Sequence, residues 1–276
     1  MTSTHLGIFL ATIGAILLGT AVLHTLAKLG AAGRRASDAL CRAPLLDLAI
    51  TYFLILPGVV GAIVAGWLGL ASAIAGQVVA LQLWVWAHEL AHPKARRGPR
   101  IVKSLNKVIG RWRNHLALWV TALAVPLFWV VRLVEVVVYP PLTVLVGVPK
   151  YRTADWVNLS RHKFEGLVGH DLIWCLYCDW MTGVWSLGSE MLRNIESFWC
   201  PIRFHSEKKC QNCRIDFPDV DGTAQTPGWV PANGTMAEVA ALIEKQYGRK
   251  QENSWFAHPT RLTVEGKDIP SSEPVN

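Results

Sequence analysis

At His88-Glu89-Leu90-Ala91-His92 two imidazoles stand four residues apart, with a carboxylate beside the first. On a helix this spacing puts both rings on one face, where they can share a metal ion, and Glu89 can take a proton from a metal-bound water. In that arrangement His88 and His92 are ligands and Glu89 is the general base. His170 or Asp171, in Gly169-His170-Asp171, could supply a third ligand. Pro93 follows directly; it lacks a backbone donor and disturbs the preceding turn, so the helix is expected to end there. Without a metal, the same residues make a polar helix end that reaches toward lipid head groups.

A second concentration of chemistry is sulfur. All but Cys41 of the six cysteines fall between 175 and 213, as Cys175-x2-Cys178, Cys200 and Cys210-x2-Cys213. Two paired-cysteine motifs suit a tetrahedral thiolate site, in which Zn²⁺ takes four sulfurs at about 2.3 Å. Lys208, Lys209 and Arg214 flank the second pair and favour thiolate. The first pair, at i and i+3, can aim both sulfurs from one helix face. Cys175, Cys178, Cys210 and Cys213 are therefore the expected zinc ligands, with Cys200 a substitute or a free thiol. Outside a reducing compartment the same residues could instead form two disulfides. An iron–sulfur cluster could use these thiolates too, although no spacing selects it. Attachment of a c-type haem needs a His after the second cysteine of a pair, and neither pair has one.

The His88–His92 sequence resembles the HExxH motif of zinc metalloproteases, including families that carry it in or near a membrane helix. The resemblance covers five residues. It implies zinc held by His88 and His92 and a water activated by Glu89. The same residues also resemble the first histidine box of membrane di-iron hydroxylases and desaturases, but the further histidine-rich boxes of that class do not occur in this chain.

The elements that must position these residues are apolar helices. The chain has 276 residues, 51% hydrophobic and 17% charged, where soluble domains carry about a quarter charged residues. Residues 6–27 and 48–87 contain no Asp, Glu, Lys or Arg. Crossing the hydrocarbon core takes roughly 20 helical residues, so the second stretch is long enough for two spans joined by a tight turn. Spans are expected at about 6–27, 45–67 and 73–92, with Gly66, Gly69 and Ser72 at the connection. Gly7, Ala11, Ala15 and Gly19 form a small-residue stripe on the first span, suited to close helix approach. The N-terminal run lacks a basic leader and exceeds a usual signal-peptide core, so it reads as a retained anchor.

A fourth segment, 116–148, is apolar except for Arg132 and Glu135, which share a helix face and can neutralise each other. At about 1.5 Å per residue it is about 50 Å long, more than one perpendicular crossing and less than two. It contains Pro126 and Pro140–Pro141. Either a single tilted helix or a proline-broken re-entrant hairpin satisfies this pattern.

Residues 171–193 alternate as an amphipathic helix, with Ile173, Leu176, Trp180, Val184, Leu187 and Met191 on one side and Asp171, Cys175, Cys178 and Thr182 on the other. Such a helix can lie in the membrane interface or cap the bundle. Beyond 216 the chain turns polar, and Thr235 with Glu238 forms a capping box ahead of a short helix ended by Gly248. The domains expected are thus a transmembrane region 1–149, an amphipathic and cysteine-rich region 150–224, and a polar tail 225–276 with one short helix.

The net charge of +7 is concentrated in two loops, 28–44 and 94–114. The second carries Lys94, Arg96, Arg97, Arg100, Lys103, Lys107, Arg111 and Arg113 with no acid among them. A hairpin at 48–92 puts both loops on one side, which the positive-inside rule makes cytoplasmic. Their partners are expected to be the bilayer and its anionic head groups, not nucleic acid.

The fold class expected is therefore mainly α: a polytopic α-helical protein of the cell membrane with a small cysteine-rich, zinc-type extramembrane region. Two functions fit. One is non-catalytic assembly, scaffolding or partner docking, alone or as an oligomer, with the cysteines holding a structural metal. The other is a membrane-associated, metal-dependent hydrolase or protease built on His88, Glu89 and His92. No sequence feature names a substrate.

Overall fold

The structure is a computed structural model; it describes residues 3–164 and 166–199, together with 235–237, 240, 261–262 and 268–269. The chain divides into two compact units, Met1–Val131 with Arg152–Ser186, and Arg132–Tyr151 with Leu187–Asn276. It is mainly helical. Three helical stretches, Ser3–Leu26, Leu45–Ala91 and Arg111–Leu145, are long and apolar enough to cross a membrane.

The first unit opens with α1 (Ser3–Leu26) and the basic α2 (Gly30–Leu40). The second apolar stretch comprises α3 (Leu45–Ile50), a π-helical turn at Thr51–Ile55 and α4 (Leu56–Ala91). Within α4 the backbone leaves helical geometry at Ala65 (φ −144°, ψ 25°) and Gly66 (φ 60°, ψ −148°). There the chain doubles back, so that a Cβ at Gly61 would lie 2.5 Å from the Gly69 carbonyl oxygen. A left-handed φ is open to glycine without strain, which lets Gly66 reverse the chain with almost no loop. The expected hairpin is present, but its second arm begins just after Gly66. Gly69 and Ser72 belong to that arm, not to a connection. Gln77 Nε2 donates to the carbonyls of Phe53 and Leu54 at 2.9 and 3.0 Å and ties the two arms across their width.

α1 packs along this hairpin with Thr12 and Ile16 buried. Tyr52 donates to the Ala15 carbonyl at 2.7 Å, and its ring lies against Gly19. The contact face therefore uses Ala15 and Gly19 of the anticipated small-residue stripe. Gly7 has open space around it and Ala11 is exposed, because the approach to Gly76 runs past Phe9 and Thr12 instead. The end of α1 meets the end of α4, where Trp84 Nε1 donates to His24 Nε2 at 3.2 Å. Both basic segments leave the helices at that end.

After α4 come α5 (Pro93–Arg97) and α6 (Ile101–Ile109), then α7 (Arg111–Ala122) and α8 (Val125–Leu133). A short α10 (Thr153–Trp156) and a 3₁₀ turn at Arg161–Lys163 lead to the long α11 (His170–Trp199). Ring contacts between His115 and His170, Trp119 and Trp174, and Phe128 and Trp180 advance in the same order along both strands of chain. Residues 115–128 thus keep one direction past the turn at Leu123–Ala124 that separates α7 from α8, with Pro126 in the first turn of α8. Trp180, Val184 and Leu187 of α11 are fully buried, as their spacing anticipates.

In the second unit the helix continues through a π-helical turn at Val134–Val138 into α9 (Tyr139–Leu145). Arg132 and Glu135 are both buried and pair at 2.6 Å. Tyr139 donates to the Pro149 carbonyl, and Tyr151 to Glu190. Arg261–Leu262 and Asp268–Ile269 form a two-residue antiparallel pairing. Most of the helix anticipated from Thr235 to Gly248 lies outside the described residues.

Candidate functional site

His88, Glu89 and His92 occupy the last turn of α4. The His92 amide donates to the His88 carbonyl at 3.2 Å, and His92 then leaves helical geometry (φ −122°, ψ 63°) ahead of Pro93. The stop expected from Pro93 is realised, and a new short helix starts at once. This end of α4 is met by two pieces of distant chain, the segment before α6 and the start of α11.

Arg100 joins them. Its Nη1 donates to Glu89 Oε1 at 2.8 Å, its Nε to Asp171 Oδ2 at 3.0 Å and its Nη2 to the Val168 carbonyl at 3.0 Å. The second Asp171 oxygen accepts from the Val102 amide at 3.0 Å. The side chains of Arg100 and Asp171 are only 5% and 4% exposed, so these charges are withdrawn from water. Burial by itself would lower the guanidinium's pKa, but the hydrogen bonds and charges of Glu89 and Asp171 outweigh it and hold Arg100 more firmly protonated than usual. Arg suits this place because its planar fork can serve several acceptors at once. Asp171 also lies in the first turn of α11, where a negative charge is favoured by the helix dipole.

Gly169 is required twice at this junction. Its φ is +57°, and a Cβ there would come within 2.5 Å of Glu89 Oε1. Its amide donates to His88 Nδ1 at 3.3 Å.

These bonds fix the tautomers. His88 accepts at Nδ1 and so carries its proton on Nε2. His24 accepts at Nε2 from Trp84. His92 places Nδ1 at 2.9 Å from the His88 carbonyl, so it donates there and keeps a lone pair on Nε2. The rings stack in the order His24, Trp84, His88, His92, with His88 and His92 centroids 4.3 Å apart. Proximity of the imidazoles is thus achieved, while the lone pairs of two of them are already used by N–H donors. Glu89, the carboxylate placed to act as base, is held by Arg100.

The anticipated third ligands are also drawn to this end of α4. Asp171 is bound to Arg100 and Val102. His170 packs edge-on against His115 at 5.5 Å, and its pKa is lowered first by burial and then by His115. No group of three or more His, Cys, Asp or Glu side chains converges on one metal position among the described residues.

Cys175 and Cys178 lie one turn apart on α11, half-buried and free. This is compatible with two ligands of a tetrahedral thiolate site. Cys178 sits 3.9 Å from the Thr182 hydroxyl, and burial pushes the Cys175 thiol up. Cys200, Cys210 and Cys213 lie outside the described residues, so their relation to the first pair is not described.

The residue that sequence reasoning placed elsewhere is Arg100. It reads as one of many basic charges aimed at lipid, yet it is the best-buried cation of that segment. The only local cue is its place after Gly98-Pro99, outside a helix. No protein-family model, curated protein or solved structure matches the chain.

Proposed function

We propose that this chain is a multi-pass membrane protein with a non-catalytic role in assembly, scaffolding or partner docking. In this reading the His88–His92 segment is a structural clasp at the cytoplasmic end of the bundle. The observation that supports it best is that two of the three working residues of the motif are already committed: Glu89 to Arg100, and the His88 lone pair to the Gly169 amide. A hydrolytic site needs that carboxylate free to accept a proton and both imidazoles free to ligate.

Loops 28–44 and 94–114 face the cytoplasm and its anionic head groups. The cysteines between 175 and 213 hold a structural zinc ion, with Cys175 and Cys178 supplying two thiolates from one face of α11. A partner protein or a second copy would dock on the extramembrane part.

Metal content of the purified protein tests this reading. Cys210→Ser should lower bound zinc, while His88→Ala and Glu89→Gln should leave it unchanged. If His88→Ala removes the metal and Glu89→Gln abolishes a metal-dependent hydrolysis, the enzyme reading replaces this one.

A further inference from the structure

Beside the clasp, on the side of α5 and α6, is a cavity of about 640 Å³. Pockets that hold small ligands run from about 300 to 1,000 Å³. Among the described residues three cations border it, Lys94, Arg100 and Arg161, against one carboxylate, Asp171. Arg100 and Asp171 satisfy each other, which leaves the positive charge of Lys94 and Arg161 facing the space. Lys94 has no ion-pair partner among the described residues. Arg161 is 43% exposed; its guanidinium meets Asp179 through Nε at 3.5 Å, and its amide donates to the same carboxylate at 2.9 Å, which leaves both Nη groups to face the space. The rest of the lining is apolar and includes Ile101, Phe164 and Leu167. Phe164 is 76% exposed.

The neighbouring helix indicates what surrounds this opening. On α6, Ile101, Leu105, Val108 and Ile109 form one face, all of them exposed, while Lys103 and Lys107 lie on the opposite face. A basic amphipathic helix with an uncovered apolar face belongs in the boundary between head groups and acyl chains. It starts ten residues after Ala91, the last residue of α4, which puts the cavity mouth at head-group depth.

We propose that this cavity binds the head group of an anionic glycerophospholipid. Its phosphodiester is shared by Lys94 and Arg161, and its acyl chains leave along Ile101, Phe164 and Leu167. The shared chemistry is a phosphate anion. The lipid is the source, because an apolar wall beside the cations has no role for a free phosphate. This goes beyond the proposed function and needs from it only that α4 lies in the bilayer. Lys94 and Arg161 take no part in the Glu89–Arg100–Asp171 network, so the metal measurements above and the lipid measurements below fail independently.

Native mass spectrometry of the full chain released from detergent tests the proposal with phosphatidylglycerol, phosphatidylcholine and inorganic phosphate as probes. One phosphatidylglycerol should be retained in preference to phosphatidylcholine. Lys94→Gln should weaken that retention about five-fold, the effect of one basic side chain near a membrane surface. Lys107→Gln, on α6 outside the cavity, should change it less. Equal retention of the two lipids overturns the proposal, as does an equal effect of the Lys94 and Lys107 variants. Displacement of phosphatidylglycerol by millimolar inorganic phosphate overturns the lipid assignment in favour of a free-anion site.

Discussion

Along α4 the neighbours change character from one end to the other. From Gly61 to Ala80 the helix is approached through small residues: Gly61 faces Gly69, Gly76 faces Phe9 and Thr12, and Ala73 and Ala80 are fully buried. Past Val85 the contacts become polar, and Glu89 is reached by a guanidinium that also holds Asp171 and a carbonyl. In lipid, apolar side chains gain little by leaving one hydrocarbon surrounding for another, so close approach of backbones carries helix association. The clasp works differently. Its ions are expensive to bury and repay that cost only while every partner is present. Contact energy is spread along the first region and concentrated on Arg100 in the second.

That contrast is sharpest at Arg100. Arg100→Met should destabilise the protein by about 3–5 kcal/mol, since it takes the buried cation away from Glu89 and Asp171 and leaves them only the more distant Arg96 and the Val102 amide. Thermal unfolding in detergent measures it. Arg100→Lys should recover part of the loss by restoring charge without the fork. A shift no larger than that of an exposed neighbour such as Arg97→Met would break the comparison.

In the small-residue region a single bulky side chain should cost less. Gly76→Leu would force apart α1 and α4, where even a Cβ would lie 2.8 Å from the Phe9 carbonyl oxygen, with a loss of about 1–3 kcal/mol. Gly7→Ala, with nothing within 4 Å, should be neutral or slightly stabilising through helix propensity. If the two glycines respond alike, the contact face is wrongly placed.

The smallest effect is a dependence on acidity. The folded protein holds the pKa of His170 below its ordinary value of 6.5, so the unfolded chain takes up the proton first. The stability that this contributes is fully present above pH 6.5 and is lost as the pH falls through the lower folded value. Unfolding temperatures recorded between pH 7.5 and 5 should therefore decline on the acid side. His170→Gln should flatten that part of the curve.

The helices were readable because their signals are local. Residues 6–27 and 48–87 lack charge, the second run is too long for one crossing, and Gly66 stands where it must reverse. Pro93 marked the end of α4 by removing a donor. The pairing of Arg132 with Glu135 followed from three-residue spacing alone. The site was legible only as an inventory. Sequence order brought His88, Glu89 and His92 to one turn and raised His170 and Asp171 as companions, but said nothing of who would bond to them. The stripe on α1 was half right because small residues permit approach on any face, and the shapes of Thr12, Tyr52 and Phe9 chose the face used.

The amino-acid sequence by itself determined that this chain is mainly helical, with long apolar stretches and basic segments that meet at one end of the α1–α4 bundle. These are properties of composition and period, which no tertiary contact needs to supply. Only the tertiary structure decided what the His-Glu-Leu-Ala-His sequence does in the fold. Arg100 comes from eleven residues beyond Glu89 and Gly169 from eighty-one beyond His88, and their N–H groups take the carboxylate and one of the two lone pairs on which metal chemistry would draw. A motif fixes which atoms are near one another on a helix; the fold fixes which of them remain free.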